Sequence, residues 1–223
     1  MSKTTLITGI GKGIGKALAQ KFLAEGFRVI GTSTTGNVDF SHQNLFVFKL
    51  DLRDADSIEH CVEEIKKTEN TIDILINNAG VLLDEDESVV VPRKLRDTLE
   101  VNLIGTANFT EHMISLVNTR GHIINISSTA GSIQGTAHGD HFPGKYPAYK
   151  ISKAALNMYT RTLARRLEGS VVVSSVHPGW VKTDMGGQEA DLTPEQAAEG
   201  IYTFTLSRPE TGQFWFKGEQ LPW

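Results

Sequence analysis

The run Tyr149-Lys150-Ile151-Ser152-Lys153 sets a phenol and an ammonium four residues apart. On a helix that spacing puts both side chains on one face. An isolated phenol titrates at about 10, too weak an acid or base for work at neutral pH. A neighbouring cation favours the phenolate and draws that value toward a useful range. Ser128, which closes the run Ile124-Asn125-Ile126-Ser127-Ser128, can donate to a carbonyl oxygen as that oxygen gains charge. Ser127 competes for this role. Successive strand residues point to opposite faces, so only one of the two serines can face a pocket. An isolated Tyr-x-x-x-Lys is more often a surface pair, but here a glycine turn and Asn102 precede it in order.

The glycine turn is Thr8-Gly9-Ile10-Gly11-Lys12-Gly13-Ile14-Gly15. Glycines let backbone approach a pyrophosphate, and a helix N-terminus offers N–H groups and a positive dipole end. The dinucleotide fingerprint G-x-G-x-x-G does not fit, because its third glycine would fall on Lys16 or Leu18. A G-x-G-x-G reading would also suit a methyltransferase. Such an enzyme would want acidic residues near Thr8 and Ser33, and neither position is acidic.

These residues need elements to hold them. Apolar, strand-like runs occur at 4–8, 27–32, 45–50, 72–77, 122–127 and 171–177, and 213–217 could add an edge strand. Helical patterns fall between them at 14–25, 54–68, 93–118, 148–167 and 193–206. Continuously apolar strands alternating with helices predict a parallel sheet covered on both faces. The expected fold class is α/β, a Rossmann-type doubly wound parallel sheet of about seven strands with helices on both faces. The glycine turn then lies at the carboxyl ends of the strands, where ligands bind. No linker divides the chain, so 1–223 reads as one domain. A long loop, 129–147, separates Ser128 from Tyr149.

Composition narrows the classes. With 22 Lys plus Arg against 26 Asp plus Glu, the net charge is −4, which argues against a nucleic-acid binder. The one cysteine, Cys61, fits a reducing compartment. No apolar run approaches the ~18 residues of a membrane span. Met1-Ser2-Lys3-Thr4-Thr5 runs straight into a strand pattern, leaving no room for a signal peptide. The expectation is a soluble, cytoplasmic protein with neither membrane nor nucleic acid as partner.

The motif set resembles the classical short-chain dehydrogenases/reductases over nearly the whole chain. Thr8-Gly9-x-x-x-Gly13-x-Gly15, Asn77-Asn78-Ala79-Gly80, Asn102, Ser128, Tyr149-x-x-x-Lys153 and Pro178-Gly179-Trp180-Val181-Lys182-Thr183-Asp184 occur in family order. The last run, with the ending Gly218-Glu219-Gln220-Leu221-Pro222-Trp223, resembles the C-factor and sniffer-type carbonyl reductases within that family. The resemblance implies reduction of an aldehyde or ketone by hydride transfer, with a catalytic tetrad of Asn102, Ser128, Tyr149 and Lys153. It selects Ser128 over Ser127, gives Lys153 a grip on the nicotinamide ribose, and gives Asn102 a proton-relaying water. It also allows a homo-oligomer, dimer or tetramer. The alternative is a non-enzymatic nucleotide-sensing or signalling protein on the same fold, which could lose the tetrad without penalty.

For the cofactor, the resemblance implies contacts from Gly9, Gly11, Lys12, Gly13, Ile14, Asp51, Leu52, Asn78, Ala79, Gly80, Tyr149, Lys153, Pro178, Val181 and Thr183. NAD-specific members carry an Asp at the end of the second strand, where this chain has Ser33 and then Thr34. Ser33 and Thr34 could hydrogen-bond a 2′-phosphate, and Lys12 matches a basic position common in NADP(H)-using members. NADP(H) is therefore expected over NAD(H), although Thr34 replaces an Arg often found there.

Other residues are expected to mean less. Cys61 has core spacing with Ile58, Val62 and Ile65, and Phe214, Trp215 and Phe216 read as a terminal strand. The acidic run 84–87 reads as a solvated loop. His138 and His141 lack a third ligand, so no metal is expected. The surplus length at 133–147 is expected to bulge at the site's mouth and shape the substrate pocket with Trp180, because the segment 184–191 is short for a lid.

Overall fold

The computed structural model describes residues 3–137 and 145–223. Eight strands form one sheet: β1 Thr4–Ile7, β2 Arg28–Ser33, β3 Leu45–Lys49, β4 Ile72–Asn77, β5 Val117–Ile126, β6 Val172–Val176, β7 Gln213–Phe216 and β8 Glu219–Leu221. Their order is β3-β2-β1-β4-β5-β6-β7-β8. All neighbours are parallel except β7 and β8. The order reverses between β1 and β4, so the crevice at their carboxyl ends is the expected ligand position.

The helices are α1 Gly13–Ala24, α2 Ala55–Thr68, α3 Pro92–Leu99, α4 Thr106–Met113, α5 Ile133–Ala137, α6 Pro147–Arg166 and α7 Pro194–Leu206. Side-chain alternation along the strands builds two cores. Leu6, Ile30, Leu75, Ile123 and Val173 pack with Ile58, Ile65, Phe109 and Leu163 on one face. Ile7, Val29, Ile76, Ile124 and Val176 pack with Leu18, Phe22, Ile201 and Phe204 on the other. Helices thus cover both faces, as the apolar strands require. None of the helices among the described residues is long and apolar enough to cross a membrane.

Two expectations change. The sheet has eight strands rather than about seven, because 219–221 folds back on β7 as an antiparallel edge. The expected helix over 93–118 is broken: a π-helical turn, Glu100–Gly105, joins α3 to α4, and β5 begins at Val117. The first four residues of β5 are half-buried or exposed, so they lack the apolar run that marks the rest.

Candidate active site

The glycine turn is sewn to the end of β4. Thr8 Oγ1 accepts from the backbone N–H of Asn78 and of Ala79, each at 3.0 Å. Asn78 Nδ2 donates to the carbonyls of Thr8 (2.9 Å) and Gly9 (3.2 Å). Gly9 has φ +74°, and a Cβ on Gly15 would meet the Gly9 carbonyl oxygen at 2.1 Å, so side chains are excluded at both positions. Asn78 therefore holds the turn's shape through its side chain. Above the turn, Gly11 is exposed and Ile14 packs down into the core.

Tyr149 and Lys153 lie one turn apart on α6. Lys153 is buried and donates from Nζ to the Ile126 carbonyl at 2.8 Å, with Nζ 5.6 Å from the Tyr149 ring centre. Burial pushes the Lys153 ammonium down to about 8. It pushes the Tyr149 phenol up to about 12, a shift only partly opposed by its hydrogen bond with Ser128. The direction is opposite to the one expected from the lysine, and its largest cause is desolvation of the phenol. The two serines separate as strand alternation requires. Ser127 is buried, donating to Asn157 Oδ1 at 2.6 Å, while Ser128 is half-buried and bonded with Tyr149.

Asn102 sits in the π-helical turn, and both ends of its side-chain amide are engaged. Oδ1 accepts from Val81 N–H at 2.8 Å, and Nδ2 donates to the Val81 carbonyl (2.8 Å) and Ser152 Oγ (3.0 Å). The amide locks the chain after β4 to α6. A Cβ on Gly80 would come within 3.2 Å of Asn102 Oδ1 and 3.6 Å of Lys153 Nζ. Glycine thus leaves open the space beside the lysine head. The exposed Gly11 and the lack of a side chain at Gly80 beside Lys153 would suit a dinucleotide running from the glycine turn to Lys153.

At the far end of that path, Ser33 Oγ donates to the Asn37 carbonyl at 2.9 Å, while Thr34 is exposed. Ser33's proton is thus already committed within its own turn. Lys12 reaches across to Asp184, Nζ to Oδ2 at 2.6 Å, in an exposed pair. Thr183 packs its methyl near Gly13, and its Oγ1 accepts from Gly186 N–H at 3.1 Å. Asp51 is held by Arg53, whose guanidinium keeps the carboxyl below its usual range, and Leu52 is buried. Pro178 is half-buried; Val181 is buried and bridges to Leu192, closing a short 184–191 segment, and Trp180 donates to the Gly186 carbonyl at 2.7 Å.

Cys61 is buried among apolar neighbours, which raise its thiol to about 12. No cluster of three metal-ligating side chains occurs among the described residues. His138, Asp140, His141, Phe142 and Gly144, expected to shape the pocket, lie outside the described residues.

Sequence reasoning missed two features. Asp84, expected on a solvated loop, is 1% exposed. Its carboxylate accepts from the backbone N–H of Ala148 (2.6 Å) and Tyr149 (3.3 Å) at the start of α6. Tyr146, the residue before that helix, has φ +44° and makes no side-chain cap, so Asp84 caps the helix from a distant loop. No local signal announces this, because an acidic run usually faces water. The second feature is a buried polar chain linking β4, β5, α6 and β6. Asn77 Nδ2 donates to Asn125 Oδ1, Asn125 Nδ2 donates to Thr160 Oγ1, and Thr160 Oγ1 lies 2.8 Å from Ser175 Oγ. It ties α6 to the sheet; the two asparagines inside apolar strands were its available sequence sign.

Known proteins share this arrangement. Residues 3–193 match the short chain dehydrogenase family model. The chain is 33% identical over 193 residues to the 3-oxoacyl-[acyl-carrier-protein] reductase FabG of Buchnera aphidicola, covering 82% of this chain and 75% of that relative. It is 31% identical over 220 residues to the FabG of Aquifex aeolicus, covering 93% and 86%. Among solved structures it is similar to the carbonyl reductase Sniffer of D. melanogaster, with TM-score 0.86, 28% identity and full coverage of both chains. It is also similar to an NADPH-bound carbonyl reductase from chicken fatty liver, with TM-score 0.89, 27% identity, and coverage of 100% of this chain and 94% of that one. With the family's motifs in order on the family's fold, this chain belongs to the short chain dehydrogenases, oxidoreductases whose relatives here include carbonyl reductases.

Proposed function

We propose that this chain is an NADPH-dependent reductase of aldehydes or ketones, built as one dinucleotide-binding domain, with Tyr149 as general acid. The observation that carries the reading is the grouping of three side chains: the Tyr149 phenol, the Ser128 hydroxyl bonded with it, and the buried Lys153 head 5.6 Å from the Tyr149 ring centre. When bound, the reduced nicotinamide supplies the hydride. Ser128 orients the substrate oxygen and donates to it as charge develops. Tyr149 gives that oxygen its proton, and its raised pKa means the proton is present at neutral pH. Lys153 binds the ribose and offsets negative charge on Tyr149 after transfer. Asn102 acts as a positioning residue that holds α6 against the chain at Val81.

The groove residues fit the cofactor as follows. Gly9, Gly11, Gly13 and Ile14 would hold the pyrophosphate; Asp51 and Leu52 would serve the adenine; Asn78, Ala79 and Gly80 would line the path between; Pro178, Val181 and Thr183 would serve the nicotinamide end. Ser33 in place of an acid, together with Lys12, supports NADPH over NADH, as do the chicken relative's NADPH and the NADP bound to a Burkholderia multivorans relative. Lys12 would leave Asp184 to meet a 2′-phosphate; an exposed ion pair resists that exchange only weakly.

The test is NADPH oxidation followed by absorbance with a panel of aldehydes, ketones and quinones, for the parent and Tyr149→Phe. The variant should lose about 10²–10⁴-fold in turnover while NADPH affinity holds. Full reductase rate in Tyr149→Phe would refute the role given to that residue.

A further inference from the structure

Pro222 and Trp223 pack back against the segment that follows Ser128. Ser132 Oγ donates to the Pro222 carbonyl at 2.9 Å, and the Gln134 N–H donates to the Trp223 carbonyl at 3.0 Å. Ser132 Oγ also accepts from Gly135 N–H at 2.9 Å, and the Ser132 carbonyl takes Thr136 N–H at 3.0 Å. Ser132 thus organises α5 and at the same time ties it to the tail. The tail itself is anchored: the Trp223 ring stacks on fully buried Phe214, with centres 5.7 Å apart and planes 19° apart, and the Arg161 guanidinium lies 5.8 Å from the ring on α6. Arg161 in turn donates to the Gly212 carbonyl at 3.0 Å. The segment held in this way, 132–137, belongs to the connection between Ser128 and Tyr149, the two residues that must meet at one substrate oxygen.

The segment 132–137 is tied on two sides. Its position depends on what it is tied to. On one side, Asn157 Nδ2 donates to the Gly131 carbonyl at 3.2 Å. On the other side stands the tail. We propose that Pro222-Trp223 is a positioning clamp for the segment 132–137 that follows Ser128, and that Trp223 thereby tunes how carbonyl substrates bind. The tuning rests on the reductase reading of the same site; the clamp itself does not. Trp223 is a positioning residue, acting through α5.

Two readouts separate these levels. Hydrogen exchange of the peptide covering 132–137 should be about 3- to 10-fold faster in Trp223→Ala, the range expected when one or two tail hydrogen bonds are weakened. Ser132→Ala, which removes both the Pro222 bond and the bond from Gly135 N–H and leaves the aromatic stack, should also speed exchange. Trp223→Phe should restore slow exchange. In kinetics, Trp223→Ala should raise KM for carbonyl substrates severalfold with kcat and NADPH affinity nearly unchanged. Parent-like exchange in a folded Trp223→Ala protein overturns the clamp. If that variant does not fold, parent-like exchange in Ser132→Ala overturns it instead. Faster exchange with an unchanged KM overturns the tuning alone. A parent that reduces no carbonyl refutes the reductase reading and the tuning with it, while exchange still decides the clamp.

Discussion

Lys153 shows how a residue type can be legible while its physical state is not. The helical spacing with Tyr149 is visible in the sequence, but the burial that lowers its pKa to about 8 comes from the sheet beneath. The unfolded lysine holds its proton up to 10.5, so between about 8 and 10.5 the unfolded chain binds more protons. Stability from this group therefore rises with pH through that window, and the penalty is fully present below it. Lys153→Met should abolish reductase activity yet be more stable than the parent at pH 7, by up to about 3 kcal/mol less the cost of leaving the Ile126 carbonyl unpaired. Denaturant titrations of both proteins should show the difference shrinking toward pH 10; a variant less stable at pH 7 would contradict this assignment. Ser33 belongs to the same scale. Ser33→Asp should turn preference toward NADH, because a carboxylate repels a 2′-phosphate and can accept both ribose hydroxyl bonds. Side-by-side titrations with the two cofactors check it, and a parent already preferring NADH would defeat the argument.

The helix carrying Tyr149 depends on a partner that its own sequence does not provide. Left-handed Tyr146 cannot cap α6, and Asp84 supplies the missing acceptor from 64 residues upstream in the chain. A carboxylate there also complements the positive end of the helix dipole. Asp84→Ala should lower stability by about 1–2 kcal/mol, the range for a lost N-cap. It should reduce kcat more than it weakens NADPH binding, since the cap fixes the backbone at Tyr149; thermal denaturation and steady-state kinetics together test this. Asp84→Asn, which keeps an acceptor, should recover much of both. A second element-scale constraint is the π-helical turn around Asn102. A Cβ on Gly105 would sit 1.9 Å from the Leu52 carbonyl oxygen. Gly105→Ala should therefore destabilise by about 1–3 kcal/mol or more through overpacking, read as a lowered denaturation midpoint.

At the scale of the whole molecule, the crevice crosses the point where strand order reverses. It draws its two walls from the glycine turn after β1 and the segment after β6. The Lys12–Asp184 pair spans those walls at 2.6 Å. A ligand that binds only the folded chain stabilises it by mass action, about 2.7 kcal/mol at a hundredfold excess over Kd. NADPH should accordingly raise the melting temperature more than NADH at equal concentration. Lys12→Ala should narrow that gap, because the cation that meets a 2′-phosphate is gone. Equal shifts in the parent would remove the basis for cofactor selection.

Strand and helix periodicity, the glycine turn and the order of Asn102, Ser128, Tyr149 and Lys153 were all readable without coordinates. Each is a local pattern: apolar runs mark strands buried on both faces, and a four-residue spacing marks one helical face. Alternation said that only one of Ser127 and Ser128 could face the pocket, and the family resemblance selected Ser128. What the sequence could not carry were contacts between residues distant along the chain. The burial of Asp84, the use of both ends of the Asn102 amide and the return of Trp223 to α5 all depend on which segments become neighbours. The raised Tyr149 phenol has the same origin, because desolvation measures everything packed around a group and not the residues beside it in the chain. Even the strand missed at 117–121 was lost for this reason: its half-exposed residues carry no apolar signature, and only pairing with β4 makes them a strand.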